Sequence, residues 1–250
     1  MITLRSSAEL AKMREAGRLL ARILETLAAR AEPGVSTLEL EGMAERAIAE
    51  AGAEPAFKGY RGYPCVLCTS VNDEIVHGIP SERKLERGDI LSLDLGLKLG
   101  GYFADTATTV ALEPVPPRLK RLIEVTREAL GRGLAQVRAG AHLAEVSAAV
   151  QQHVEAAGFS VVREFVGHGI GTELHEEPQV PNYVDTAKGR GPKLAAGMVL
   201  AIEPMVTTGS PVVKMRPDRW TAVTSDGSFA AHFEHCVAVT ENGPWVLTEP

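Results

Sequence analysis

Apolar residues recur every three or four positions along two stretches near the N-terminus, the period of helices with one buried face. The first is announced by Ser6-x-x-Glu9, a capping box, and carries Leu10, Met13, Gly17, Leu20, Leu24 and Leu27 on one side before Pro33-Gly34 ends it. The second opens at Ser36-x-x-Glu39, runs through Leu40, Met43, Ala44, Ala47, Ile48 and Ala51, and stops at Gly52. A shift of 106 residues brings the same plan back. Pro116-Pro117 opens a helix with Leu119, Leu122, Thr126, Leu130, Gly133 and Val137; Gly140 stands where Gly34 stood. Val146, Ala149, Val150, Val154 and Ala157 then lead to Gly158, where Gly52 stood. The repeat predicts two similar halves, about 1–113 and 116–250, each a helix pair leading into strands. Halves sharing one sheet and one core leave a cleft along their boundary, where a site is expected. The proline-rich segment Glu113 to Pro117 reads as a joint within a single domain spanning 1–250.

The period then changes to two. Tyr60 to Val71 reads as extended. In residues 90–97, Leu91, Leu93, Leu95 and Leu97 point one way, and Ser92, Asp94 and Gly96 the other. After a turn at Lys98 to Gly101, a second strand rich in β-branched residues carries Asp105. A hairpin centred between Leu99 and Gly100 sets Asp94 directly opposite Asp105. Like charges so placed repel, and a shared proton, a basic partner or a metal ion would relieve them. Further on, Val161, Val162, Phe165 and Val166 read as a strand delivering His168 at its end, among Gly167, Gly169 and Gly171. Glu203 in MVLAIEPMV and Glu234 in AAHFEHCVAV are acids in strand-like apolar settings, where glutamate is rarely buried without a partner. Four carboxylates with one neutral imidazole match two divalent cations in charge and in ligand type, so the pattern points to a dinuclear site.

Composition narrows the classes of partner. A net charge of −6 over 250 residues argues against nucleic acid, and the basic residues from Arg118 to Arg138 alternate with Glu124 and Glu128, as on a solvated helix face. Charges at Arg5, Glu9, Lys12, Arg14 and Glu15 interrupt any signal-peptide core, and no apolar run reaches the ~20 residues of a membrane helix. Three cysteines fit a reducing compartment; Cys65 and Cys68 read as small buried side chains. His142, His153 and His232 are left outside the site, the first two assigned to packing in or beside the fourth helix, and His235 is assigned to the strand face opposite Glu234. The glycines of 167–171 do not read as a phosphate loop, since no helix pattern follows and phosphate does not tolerate four carboxylates nearby.

In order and spacing, HGIP at 77 to 80, Asp94 with Asp105, GHGIGTELHEEP at 167 to 178, IEPM at 202 to 205 and FEH at 233 to 235 resemble the type I methionine aminopeptidases. The resemblance covers nearly the whole chain. It implies the α+β pita-bread fold, in which two pseudo-symmetric halves pack helix pairs on a shared, mostly antiparallel curved sheet. It also implies that Asp94, Asp105, His168, Glu203 and Glu234 bind two divalent ions (Mn, Fe, Co or Zn), Asp105 and Glu234 bridging them. Glu203 would move protons, and His77 and His175 would donate to the peptide amide and the oxyanion. Tyr60, Tyr63, Cys68, Leu174, Trp220 and Phe57 would line the methionine pocket. The implied activity is removal of the initiator methionine ahead of a small second residue. The implied setting is the cytoplasm and the implied substrates are nascent N-termini; ribosome docking fits that role, although no basic stripe supports it. No amphipathic tail or heptad pattern calls for an obligate partner, which favours a monomer, and the chain looks like the minimal bacterial-type form. A proline-selective relative cutting Xaa-Pro bonds, or a pita-bread protein that only binds, is the alternative; the latter should show ligand substitutions, and all five positions stand.

Overall fold

The computed structural model describes residues 1–186 and 189–250. Four helices, α1 (Ser7–Arg30), α2 (Thr37–Glu50), α3 (Pro117–Leu134) and α4 (Leu143–Ala156), form where the apolar periods place them. Ser6 and Ser36 each accept from the backbone N–H three residues on, and Glu9 and Glu39 return the bond to the cap's own N–H. At the fourth helix the cap residue is His142, and Glu145 accepts from its N–H at 3.0 Å. The bounds of α4 are those of α2 displaced by the offset seen in the sequence. Gly34 and Gly140 adopt φ of 95° and 88°, and Gly52 and Gly158 of 68° and 78°, so the repeat extends to the turns after each helix.

Each helix pair covers its own apolar cluster. Leu20, Leu24, Leu40 and Ile48 pack with Leu91, Leu93, Leu95 and Leu97. Leu122, Leu130, Val146 and Val150 pack with Leu200, Ile202, Val237 and Val239. Every strand pairing among the described residues is antiparallel. The two clusters meet along a seam. There the strand Tyr102–Ala111 approaches the segment around Glu234: the Glu234 N–H donates to the Ala107 carbonyl at 3.0 Å and the Thr106 hydroxyl to the Glu234 carbonyl at 2.7 Å.

Three expectations are corrected. The hairpin pairs Asp94 with Ala107 and Gly96 with Asp105, so the two aspartates are diagonal neighbours and not directly opposite. The cause is the turn: Gly100 and Gly101 both take positive φ, 59° and 89°, and draw the two-residue reversal one position later. The resulting slip is two residues, which keeps both carboxylates on one face. Within Tyr60 to Val71, Tyr60–Gly62 is a short 3-10 turn and the strand is only Leu67–Val71. Of the apolar run before His168, only Val161 is strand, and His168 sits inside the short strand Gly167–Gly169 instead of beyond its end.

Candidate active site

Strands of two sheets, one of four strands and one of five, gather the polar residues. Asp94 comes from the strand Ile90–Leu99, Asp105 from its hairpin partner, His168 from Gly167–Gly169, Glu203 from just after Val199–Ile202, and Glu234 from just before His235–Thr240. All five line one cavity of about 170 Å³. A ligand atom from each of Asp105, His168 and Glu234 lies within 4.8 Å of the others. His168 Nε2 stands 3.7 Å from Glu203 Oε1 and 4.0 Å from Asp105 Oδ2, while its Nδ1 is 2.9 Å from the Gly169 carbonyl. That second contact places the proton on Nδ1 and leaves Nε2 a free lone pair facing the acids.

The electrostatics of this floor are unbalanced. Burial raises the Asp94 carboxyl to about 7, against a hydrogen bond with Asp105 that lowers it. Asp105, Glu203 and Glu234 are pushed well above the usual carboxylate range, first by burial and then by one another's charge. Asp94 Oδ1, Asp105 Oδ1 and Glu234 Oε1 are buried with no hydrogen-bond partner among the described residues. Burial, with His175 nearby, holds His168 down to about 3 and therefore neutral. Orphaned carboxylate oxygens beside a neutral imidazole nitrogen form the donor set of a divalent cation site, and the residues present fit one.

Two further imidazoles flank the floor. His77 follows the strand Glu74–Val76 with φ of 60°, its ring edge-on to Phe165 at 5.3 Å. His175, exposed at the mouth, lies 4.1 Å from the His168 ring centroid and stacks on Tyr60 at 5.2 Å. Desolvation lowers both to about 4, assisted at His77 by His175 and at His175 by the Arg61 guanidinium. Each therefore offers one neutral N–H near pH 7. The loop holding His175 is clamped from the N-terminal arm. Glu176 accepts from the backbone of Thr172 at 2.9 Å and Glu173 at 3.2 Å, and its other oxygen accepts from Arg5 at 2.7 Å.

Phe57, Tyr60, Tyr63, Cys68, Leu174 and Trp220 all stand on the cavity wall. Tyr63 packs edge-on against Trp220 at 5.1 Å, and its hydroxyl is spent on the Leu67 and Gly78 carbonyls, which leaves its ring as an apolar surface. The sequence reading missed Arg61, Phe165, Val166 and Met205 on the same wall. It also left His232 out of the site, whereas Nε2 of this buried ring is 3.9 Å from Glu203 Oε2 and neither ring nitrogen has a hydrogen-bond partner among the described residues. The available signal was its position two residues before Glu234, which puts it on the same side of the chain. His142 and His153 stay with the helices, and His235 turns away to Thr248 at 2.9 Å.

An antiparallel α+β frame with an acid-rich cation site at the floor of an apolar cleft defines a pita-bread metallopeptidase. The sequence matches metallopeptidase family M24 over residues 11–241. Methionine aminopeptidase 1 of Bacillus subtilis is 51% identical over 248 residues, 99% of each chain, and the methionine aminopeptidase of Clostridium acetobutylicum is 47% identical over 99% of each. The crystal structure of methionine aminopeptidase from Thermotoga maritima superposes with a TM-score of 0.97 at 43% identity over 100% of both chains. The chain belongs to metallopeptidase family M24, in its methionine aminopeptidase branch. The Xaa-Pro dipeptidase of Bacillus anthracis shares the fold alone, at 24% identity and a TM-score of 0.80, and this chain spans 62% of it. No helix among the described residues is long and apolar enough to cross a membrane.

Proposed function

We propose that the chain, acting as one catalytic domain over 1–250 and as a monomer, removes N-terminal methionine from nascent polypeptides at the ribosome in the cytoplasm. The observation that carries this is a cleft with a largely apolar wall whose floor is His168 and four carboxylates, Asp105 and Glu234 buried and Asp94 and Glu203 half-buried. Free thiols at Cys65, Cys68 and Cys236 support a reducing compartment.

Asp94, Asp105, His168, Glu203 and Glu234 would hold two divalent ions of the manganese, iron, cobalt or zinc kind. Such ions, when bound, supply an activated water and polarise the scissile carbonyl. With those ions bound, the floor would take a free α-amine as a lone-pair donor, so only the first residue of a chain reaches it. A methionine side chain packs against Phe57, Tyr60, Tyr63, Cys68, Leu174 and Trp220, a burial worth about 1.5–3 kcal/mol. Glu203 takes a proton from the attacking water at a carboxylate oxygen and returns it to the departing amine nitrogen. A His77 N–H donates to the peptide amide region, and a His175 N–H to the developing oxyanion. Rings of His77, His175 and Tyr60 crowd the passage, which supports a small second residue.

The test is release of free amino acid from Met-Ala-Ser and Ala-Pro-Ala by chelated protein, with and without added Mn²⁺ or Co²⁺. Cation-dependent methionine release from the first alone is the expected result; cleavage of the second alone would replace this reading with a proline-selective one. Metal affinity should also depend on pH. Because the floor carboxylates are raised, Asp94 to about 7, they hold protons below that point which a cation must displace. Affinity is therefore expected to climb between about pH 6 and about pH 8, up to tenfold per unit for each proton released. Calorimetry in buffers of different ionisation enthalpy reads the protons directly, and a pH-independent affinity would contradict the assignment.

A further inference from the structure

Arg61 is the only lysine or arginine among the described residues lining the cleft. It sits at the mouth with φ 51° and ψ 18°, a left-handed conformation that glycine or asparagine adopts more readily than arginine. Its guanidinium lies 5.4 Å from the centroid of Tyr60, whose ring stacks on His175. The side chain is exposed and makes no ion pair with any described residue. The turn gains nothing from a charge at this place. The cleft does gain something, because among the described lining residues Arg61 sets one fixed positive charge at the rim, apart from a floor whose four carboxylates two divalent ions would balance.

A substrate threads the cleft in one direction. Its α-amine end goes to the floor, its first side chain to the apolar wall, and its second residue passes the histidines. The next residues of an extended chain, about 3.3 Å apart, leave past the rim. We propose that Arg61 selects for peptides carrying a carboxylate side chain at the third or fourth residue and against those carrying lysine or arginine there; this rests on the aminopeptidase reading above. A rim pair is solvated, so the discrimination is modest and sensitive to salt.

The experiment compares kcat/KM for C-terminally amidated Met-Ala-X-Ser and Met-Ala-Ser-X, where X is Glu, Gln or Lys, in the wild-type protein and in Arg61→Gln and Arg61→Glu. The Glu peptide of at least one series should exceed its Lys counterpart by about three- to tenfold at low salt. That ratio should fall towards one in Arg61→Gln, invert in Arg61→Glu, and shrink in about 0.5 M salt. A ratio near one in the wild-type protein, or one that survives Arg61→Gln, overturns the proposal. If no peptide releases methionine, the aminopeptidase reading fails instead. Calorimetric affinities of the same peptides, judged by the same ratios, then decide the role of Arg61 separately.

Discussion

Replacing Glu203 by Gln is expected to lower kcat for Met-Ala-Ser about a thousandfold while at least one metal ion per chain stays bound. The substitution keeps the shape and one carbonyl oxygen but removes the group's capacity to take and return a proton. The position makes this capacity matter: Glu203 is largely buried, with Oε1 3.7 Å from His168 and Oε2 3.9 Å from His232. Burial, then the charges of Asp105 and Asp94, lift its carboxyl well above the usual range, which favours access to its protonated form. A group that must serve as base and then as acid needs that accessibility. The other floor residues retain three carboxylates and an imidazole, enough to hold a cation. Single-turnover rates and metal content, measured on the same preparation, separate the roles. Near-normal turnover removes Glu203 from proton transfer, and loss of all metal makes it a ligand only.

What the sequence could show of this arrangement follows the range of the interactions involved. The helix starts were legible because a capping box closes within four residues, and the duplication because paired glycines end equivalent helices. That Asp94 and Asp105 share a face was legible from alternation alone; their diagonal relation was not, because it depends on which two residues of the turn accept positive φ. The seam that holds His232 was illegible for a different reason. Thr109 in the other half fixes its backbone, accepting from its N–H at 2.9 Å and donating to its carbonyl at 2.7 Å. Nothing near His232 in sequence announces that seam. The Arg5–Glu176 clamp likewise joins residues 171 positions apart. The identities of the five floor residues were legible as a set because burying so many acids requires a common reason.

Replacing His77 by Ala is expected to reduce kcat/KM about 10²- to 10³-fold with metal content unchanged, the cost of removing one preorganised donor. The ring points into the cleft without joining the acid cluster: it packs edge-on to Phe165 at 5.3 Å and faces Trp220 at 6.5 Å. Desolvation, followed by the neighbouring His175, holds it down to about 4. It is therefore neutral through the working range and acts by its N–H, not by charge. Since this group charges only below about 4, deleting it should leave any limb of the pH profile near 6 to 7 in place. The left-handed backbone supplies a control. At φ 60°, alanine is strained whereas asparagine is tolerated and brings an amide donor, so His77→Asn should recover part of the loss. Equal defects in both variants would exclude backbone strain as the cause and tie the loss to the imidazole itself. A parallel loss of metal in His77→Ala would move His77 into the ligand set, and with it the boundary drawn here between the groups that hold cations and those that hold the peptide.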